Sequence, residues 1–100
     1  MSILIAIDQG TTSTRTVAFD KDLNIIHSEQ KEYPLIYPSD GWVEIEPEQL
    51  MNSVYSTIDP VINSCKDISA IGITNQRETT LVWDANSGQP IYNAIVWQDR

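Results

Sequence analysis

Apolar and polar positions divide this chain into strands, one helix and strands again. A short apolar run, Ile3-Leu4-Ile5-Ala6-Ile7, is followed by Asp8 and a glycine-threonine turn, then by the β-branched and apolar stretch Thr16-Val17-Ala18-Phe19. Two such runs around a turn predict an antiparallel hairpin. The first part of the chain reads as three strands, at about residues 2–8, 14–20 and 24–33, the last two joined by the polar turn Asp20-Lys21-Asp22-Leu23-Asn24. Pro34, Pro38 and Ser39-Asp40-Gly41 mark residues 34–43 as a loop, anchored by Trp42-Val43 with Glu44 and Glu46 outside.

A helix is predicted to start near Pro47, a favoured first-turn residue, with Glu48 at the end of the dipole that favours an acid. Leu50, Met51, Val54, Tyr55, Ile58, Val61, Ile62 and Cys65 recur at the helical period and predict one buried stripe. Pro60 is expected to kink or break it, since an interior proline removes a hydrogen bond and clashes with the preceding turn. Residues 68–75 return to a strand in which Gly72 would permit close backbone approach. Thr79 to Trp83 and Ile91 to Trp97 read as two more strands around the turn-rich segment 84–90. The result is a mixed-sheet α/β domain with β-β-β-α-β order at the start.

Composition narrows the function. With 41% apolar and 20% charged residues in 100, the chain suits one soluble globular unit. No run approaches a membrane span, and no signal peptide is visible. A lone cysteine, Cys65, offers no disulfide framework and fits a reducing compartment, so a cytoplasmic location is expected. Placed on the helical stripe, it reads as a core residue. The net charge of −8 argues against nucleic acid or an anionic membrane surface as partner. Arg15, Arg77 and Arg100 are the only arginines, and all fall in segments that carry motifs. His27, the only histidine, reads as structural or exposed, and Trp42 and Trp83 read as packing residues.

Asp8-Gln9-Gly10-Thr11-Thr12-Ser13-Thr14-Arg15 holds the densest chemistry. A turn rich in backbone N–H groups and hydroxyls cradles phosphate oxygens. An adjacent carboxylate suits a hydrated Mg2+, which binds proteins through one or two carboxylates plus substrate phosphates. The stretch is no Walker A loop, lacking Gly-x-x-x-x-Gly-Lys-Ser/Thr. Read alone, it is equally a hairpin whose Gly and Thr residues serve turn geometry and whose Asp8 and Arg15 are solvated charges. Further on, Arg77-Glu78 follows a strand end, where ligand groups gather in open α/β sheets. An arginine supplies donors and a glutamate acceptors to a vicinal diol, and Trp97 could wall its C–H skeleton. Physics alone leaves open that Arg77 and Glu78 are a solvated pair and Trp97 a core residue.

The apolar strand followed by Asp-Gln-Gly-Thr-Thr-Ser-x-Arg resembles the first phosphate-binding hairpin of the actin-like ATPase superfamily, and in this form the FGGY carbohydrate kinases. Gly72-Ile73-Thr74-Asn75-Gln76-Arg77-Glu78-Thr79-Thr80 and Tyr92-Asn93-Ala94-Ile95-Val96-Trp97-Gln98 are similar to the members that phosphorylate glycerol. The resemblance covers essentially the whole chain. It implies an actin-like (ribonuclease H-like) domain, with residues 1–100 as the N-terminal part of the first of two kinase domains.

By the same resemblance, Thr11, Thr12, Ser13 and Arg15 contact nucleotide phosphates, and Thr11, Arg77, Glu78 and Trp97 contact glycerol. Asp8 meets the metal through water. The implied cofactors are ATP and Mg2+, and the implied partners are glycerol and MgATP, with no nucleic acid, no membrane span and a homo-oligomer as the full-length protein. The implied activity is ATP-dependent phosphorylation of glycerol to sn-glycerol 3-phosphate. No catalytic residue is expected among residues 1–100, which alone should be inactive; the base is an aspartate from later sequence, not Asp99. Other readings are an FGGY kinase for another sugar or polyol, a non-catalytic actin-like ATPase module, and a catalytically dead sensor.

Overall fold

The computed structural model describes residues 2–76 and 79–96. The expectations for Arg77, Glu78 and Trp97 lie outside the described residues. Strands β1 (Ile3–Gln9), β2 (Ser13–Phe19) and β3 (Ile25–Glu32) come first, then the short β4 (Glu44–Ile45). Helix α1 (Pro47–Ser64), β5 (Ile68–Asn75) and the short β6 (Ala94–Ile95) follow. The main sheet has the order β3-β2-β1-β5. β1 runs antiparallel to β2 and parallel to β5, and β2 runs antiparallel to β3, so the sheet is mixed, as expected. β4 and β6 form a separate two-stranded ladder.

Strand alternation sets the two faces of the sheet. Ile3, Ile5 and Ile7 of β1 and Ala18 of β2 point to the α1 side and form one buried cluster with Val61; Ile58, Cys65 and Ile68 pack against it. Burying a side chain such as Val61 contributes about 1.5–3 kcal/mol. A second cluster of Tyr33, Val43, Ile45, Ala94 and Val96 lies around the β4–β6 ladder, with Leu50 at its edge. α1 thus touches both cores.

α1 begins with Pro47 in its first turn and Glu48 near its N-terminus, as predicted. It runs through Pro60 without a break. Pro60 is exposed, so its missing N–H leaves a carbonyl on the solvent side, and the fully buried Val61 holds the last turn down. The stripe that packs also differs from expectation. Met51, Tyr55 and Ile62 are exposed, while Ser53 and Thr57 are buried. They meet a polar row on β2: Thr14 Oγ1 lies 2.6 Å from Ser53 Oγ, and Thr16 Oγ1 donates to Thr57 Oγ1 at 2.9 Å. The inner face of α1 is hydroxyl-lined where the strand is, which an apolar periodicity cannot reveal.

Other local expectations are corrected by long-range partners. Glu44 is 3% exposed rather than outside. Its carboxylate accepts from the Tyr92 hydroxyl (2.7 Å) and from Asn93 Nδ2 (3.0 Å), two charge-assisted bonds that offset the cost of burial. Gly72 has open space where a Cβ would stand, so no close approach explains it. Trp42 and Trp83 are 46% and 59% exposed and are not core residues. Thr79 to Trp83 forms only the isolated bridges Thr80–Ile95 and Trp83–Pro90, and within the described part of Ile91 to Trp97 the strand is Ala94–Ile95. Val82, Trp83 and Ile91 are all exposed, so no apolar face extends that ladder.

Candidate active site

The β1–β2 hairpin turns over Gly10–Ser13, closed by the Gly10 N–H donating to the Ser13 carbonyl at 2.9 Å. A Cβ on Gly10 would lie 3.1 Å from that carbonyl oxygen, so the tight turn favours glycine. Thr11 and Thr12 form the tip. Asp8 is the cross-strand partner of Arg15, and in β5 it pairs with Thr74. By alternation Asp8, Ser13 and Arg15 project from the sheet face opposite α1. Thr14, one of four consecutive hydroxyl residues, turns the other way into the helix seam and takes no part.

Neighbouring side chains orient this face. Arg15 Nε donates to Ser28 Oγ at 3.2 Å, and Gln30 Nε2 donates to Ser13 Oγ at 3.0 Å. Ser13 keeps its own O–H as a donor. The structure therefore brings together a carboxylate, a guanidinium and a hydroxyl on one surface beside a turn carrying two more hydroxyls. Among the described residues no group of three or more His, Cys, Asp or Glu side chains could hold a metal alone. A single exposed carboxylate suits a cation that keeps its waters and takes its other ligands from phosphate. A groove of about 420 Å³ between the start of α1 and residues 89–93 is flanked by Glu46 and Glu48, the wrong charge for phosphate.

The hairpin is tied to the end of β5 by side chains that carry no role in the sequence reading. The Tyr33 hydroxyl donates to the Gly10 carbonyl and accepts from Gln9 Nε2 at 2.9 Å and Gln76 Nε2 at 3.2 Å. Gln76 Nε2 also donates to the Gly10 carbonyl at 3.0 Å, and Gln76 Oε1 accepts from Thr79 Oγ1 at 2.6 Å. Burial raises the Tyr33 phenol above its ordinary pKa, so it stays protonated and a donor. Gln9 and Gln76 both stand inside the two motifs, and that was the only signal pointing to them.

His27 lies apart from the hairpin. It bridges Ser64 Oγ (2.6 Å from Nδ1) and Glu29 Oε2 (2.8 Å from Nε2), linking β3 to the end of α1.

Glycerol kinase of Alteromonas mediterranea is 57% identical over 101 aligned residues, which take in 97% of this chain and 20% of that protein. The crystal structure of Plasmodium falciparum glycerol kinase with ADP superposes with a TM-score of 0.90 at 39% identity, covering 100% of this chain and 21% of the other. Gluconate kinase from Lactobacillus acidophilus superposes with a TM-score of 0.89 at 27% identity, covering 98% of this chain and 20% of the other. The chain thus spans about a fifth of the length of the relatives it matches. The actin-like, ribonuclease H-like fold expected from the sequence is the fold of these kinases. A profile of the FGGY family of carbohydrate kinases, N-terminal domain, matches residues 3–100, and the chain belongs to that family.

Proposed function

We propose that the full-length protein carrying this chain transfers the γ-phosphoryl group of ATP to a terminal hydroxyl of glycerol, giving sn-glycerol 3-phosphate and ADP. Residues 1–100 are the N-terminal part of the first of its two domains. The observation that carries the reading is 57% identity to a glycerol kinase over 101 aligned residues, 97% of this chain. Fold likeness alone does not choose the substrate, because a gluconate kinase shares the architecture.

Phosphoryl transfer needs positioning and charge stabilisation more than covalent help from the protein. Thr11, Thr12 and Ser13 donate hydroxyls to phosphate oxygens, and Arg15 offers fixed donors to the charge that spreads over them. Asp8 would hold a hydrated Mg2+ through its water shell, and the ion would supply positive charge to the phosphate oxygens. Arg77 and Glu78 grip adjacent hydroxyls of glycerol, Thr11 lies at the substrate's reacting end, and Trp97 covers its carbon skeleton. The proton leaving the attacking hydroxyl goes to an aspartate in later sequence, so the isolated chain is inactive. The enzyme is a cytoplasmic homo-oligomer. The lone Cys65 is in keeping with a reducing compartment.

Coupled ADP release by the full-length protein tests this, with glycerol, dihydroxyacetone, xylulose and gluconate offered separately. Glycerol should give the highest kcat/KM. Release with gluconate or xylulose but not glycerol would move the protein to another branch of the family. Release with none of them would favour a nucleotide-driven module without a small substrate.

A further inference from the structure

Gln76 follows the last residue of β5 and directly precedes Arg77, and every polar atom of its side chain is engaged. Its two N–H bonds go to the Gly10 carbonyl (3.0 Å) and the Tyr33 hydroxyl (3.2 Å), and its carbonyl accepts from Thr79 Oγ1 (2.6 Å). Gly10 and Thr79 belong to different segments. One opens the phosphate turn, and the other closes the stretch that holds Arg77 and Glu78. Gln76 is the residue whose side chain bonds to both.

The hub on the other side is buried and fully hydrogen-bonded. Tyr33 is 5% exposed, its N–H donates to the Thr12 carbonyl at 3.1 Å, and its hydroxyl donates to Gly10. A phenol has one donor and accepts readily at two positions, and all three are used. The Gly10 carbonyl collects donors from Tyr33, Gln76 and Gln9, the last at 3.1 Å. A turn held by three donors cannot shift without breaking several bonds together. A shift of Gln76 would therefore strain the turn through its bonds to Gly10 and Tyr33, and a shift of the turn would strain Gln76 in return.

We propose that Gln76 is a positioning residue that couples the two ligand sites, so that an alcohol substrate bound at Arg77-Glu78 sets the phosphate turn through Gln76, Gly10 and Tyr33. This rests on the reading of Arg77 and Glu78 as substrate contacts and adds a thermodynamic consequence to it. Each ligand must tighten the other by the same factor, since coupling free energies are reciprocal.

The experiment is titration calorimetry on the full-length protein. Glycerol binding is measured with and without a non-hydrolysable Mg-ATP analogue, and the analogue is measured with and without glycerol. Wild type should show mutual tightening of about fivefold or more, the low end of typical coupling. In Gln76→Leu, and equally in Gln76→Glu, whose carboxylate would face two oxygens, that factor should fall to within about twofold of one. Each ligand alone should still bind within about threefold of wild type, a split that a generally loosened fold would not produce. Tyr33→Phe removes the hub hydroxyl and keeps the ring. It should lose the coupling too, and it decides the matter if the Gln76 variants do not fold. Coupling retained in a folded Gln76→Leu or Tyr33→Phe protein overturns the proposal, as does a wild type that binds both ligands independently. A wild type that binds the nucleotide analogue but not glycerol overturns the substrate reading itself, which distinguishes the two failures.

Discussion

The hydroxyl seam between β2 and α1 can be broken in two unequal ways, and the inequality follows from the direction of its hydrogen bonds. Thr57 Oγ1 is 3.0 Å from the carbonyls of both Ser53 and Val54, so its single proton is used within the helix. The Thr16 hydroxyl must then donate to Thr57, at 2.9 Å. Both residues are at most 1% exposed, so water cannot substitute. Thr57→Val keeps the volume but leaves the Thr16 O–H buried with no acceptor, which costs about 1–3 kcal/mol. Thr16→Val removes the donor instead. Thr57 keeps its helix carbonyls, and valine suits a strand, so the loss should be about 0.5–1 kcal/mol. The double variant Thr16→Val/Thr57→Val leaves no orphan and should lie near wild type. The two changes are therefore coupled by about 1.5–4 kcal/mol, the size of the two single losses together. Native-state hydrogen exchange at the β2 amides in the full-length protein reads these opening energies locally. Additivity within about 0.3 kcal/mol, or a larger loss for Thr16→Val than for Thr57→Val, would refute the assigned donor direction.

Asp8→Asn should lower turnover by about tenfold or more and raise the Mg2+ concentration needed for half-maximal rate, while thermal unfolding stays near wild type, because the carboxylate stands exposed on the open face. Normal turnover with an unchanged Mg2+ titration would make Asp8 a hairpin residue only. Two exposed turns carry an acid-side pH dependence. Asp20 accepts from the Asn24 and Asp22 N–H groups and Asp84 from those of Ser87 and Asn86, and these bonds depress both pKa values. A depressed carboxylate contributes fully above the ordinary Asp value of about 3.9 and loses its contribution as pH falls through the lower folded value. Carboxyl carbon chemical shifts should therefore titrate below about 3.9 at both positions, and a midpoint at or above that value at either one refutes the turn assignment.

Local pattern made much of the fold legible, and failures came where partners are distant in sequence. The isoleucines of β1, the hairpin to β2, Pro47 as the helix start and β5 at 68–75 are all written within a few residues of themselves. Glu44 was misread because its charge is evident locally, while its two donors sit about fifty residues later in Tyr92 and Asn93. Ser53 and Thr57 were missed because a helix face that packs on Thr14 and Thr16 need not be apolar. The site divides the same way. Asp8, Ser13 and Arg15 are strand neighbours by two-residue alternation, so their common face could be anticipated. Gln76, Gly10 and Tyr33 meet only through the parallel pairing of β1 with β5 and the return of β3, which no spacing along the chain encodes.

The central claim is that this hairpin and the Arg77-Glu78 segment serve one phosphoryl transfer to glycerol. Its most direct test follows radiolabelled γ-phosphate of ATP into product, using the full-length protein and its Arg77→Ala variant at matched, saturating ATP. Wild type should place the label on glycerol, as sn-glycerol 3-phosphate. The variant should lose about tenfold to a hundredfold in kcat/KM for glycerol, the cost of one charged donor to a bound hydroxyl, with its affinity for ATP much less affected. Label released only as inorganic phosphate, or glycerol use within twofold of wild type in the variant, would contradict the account.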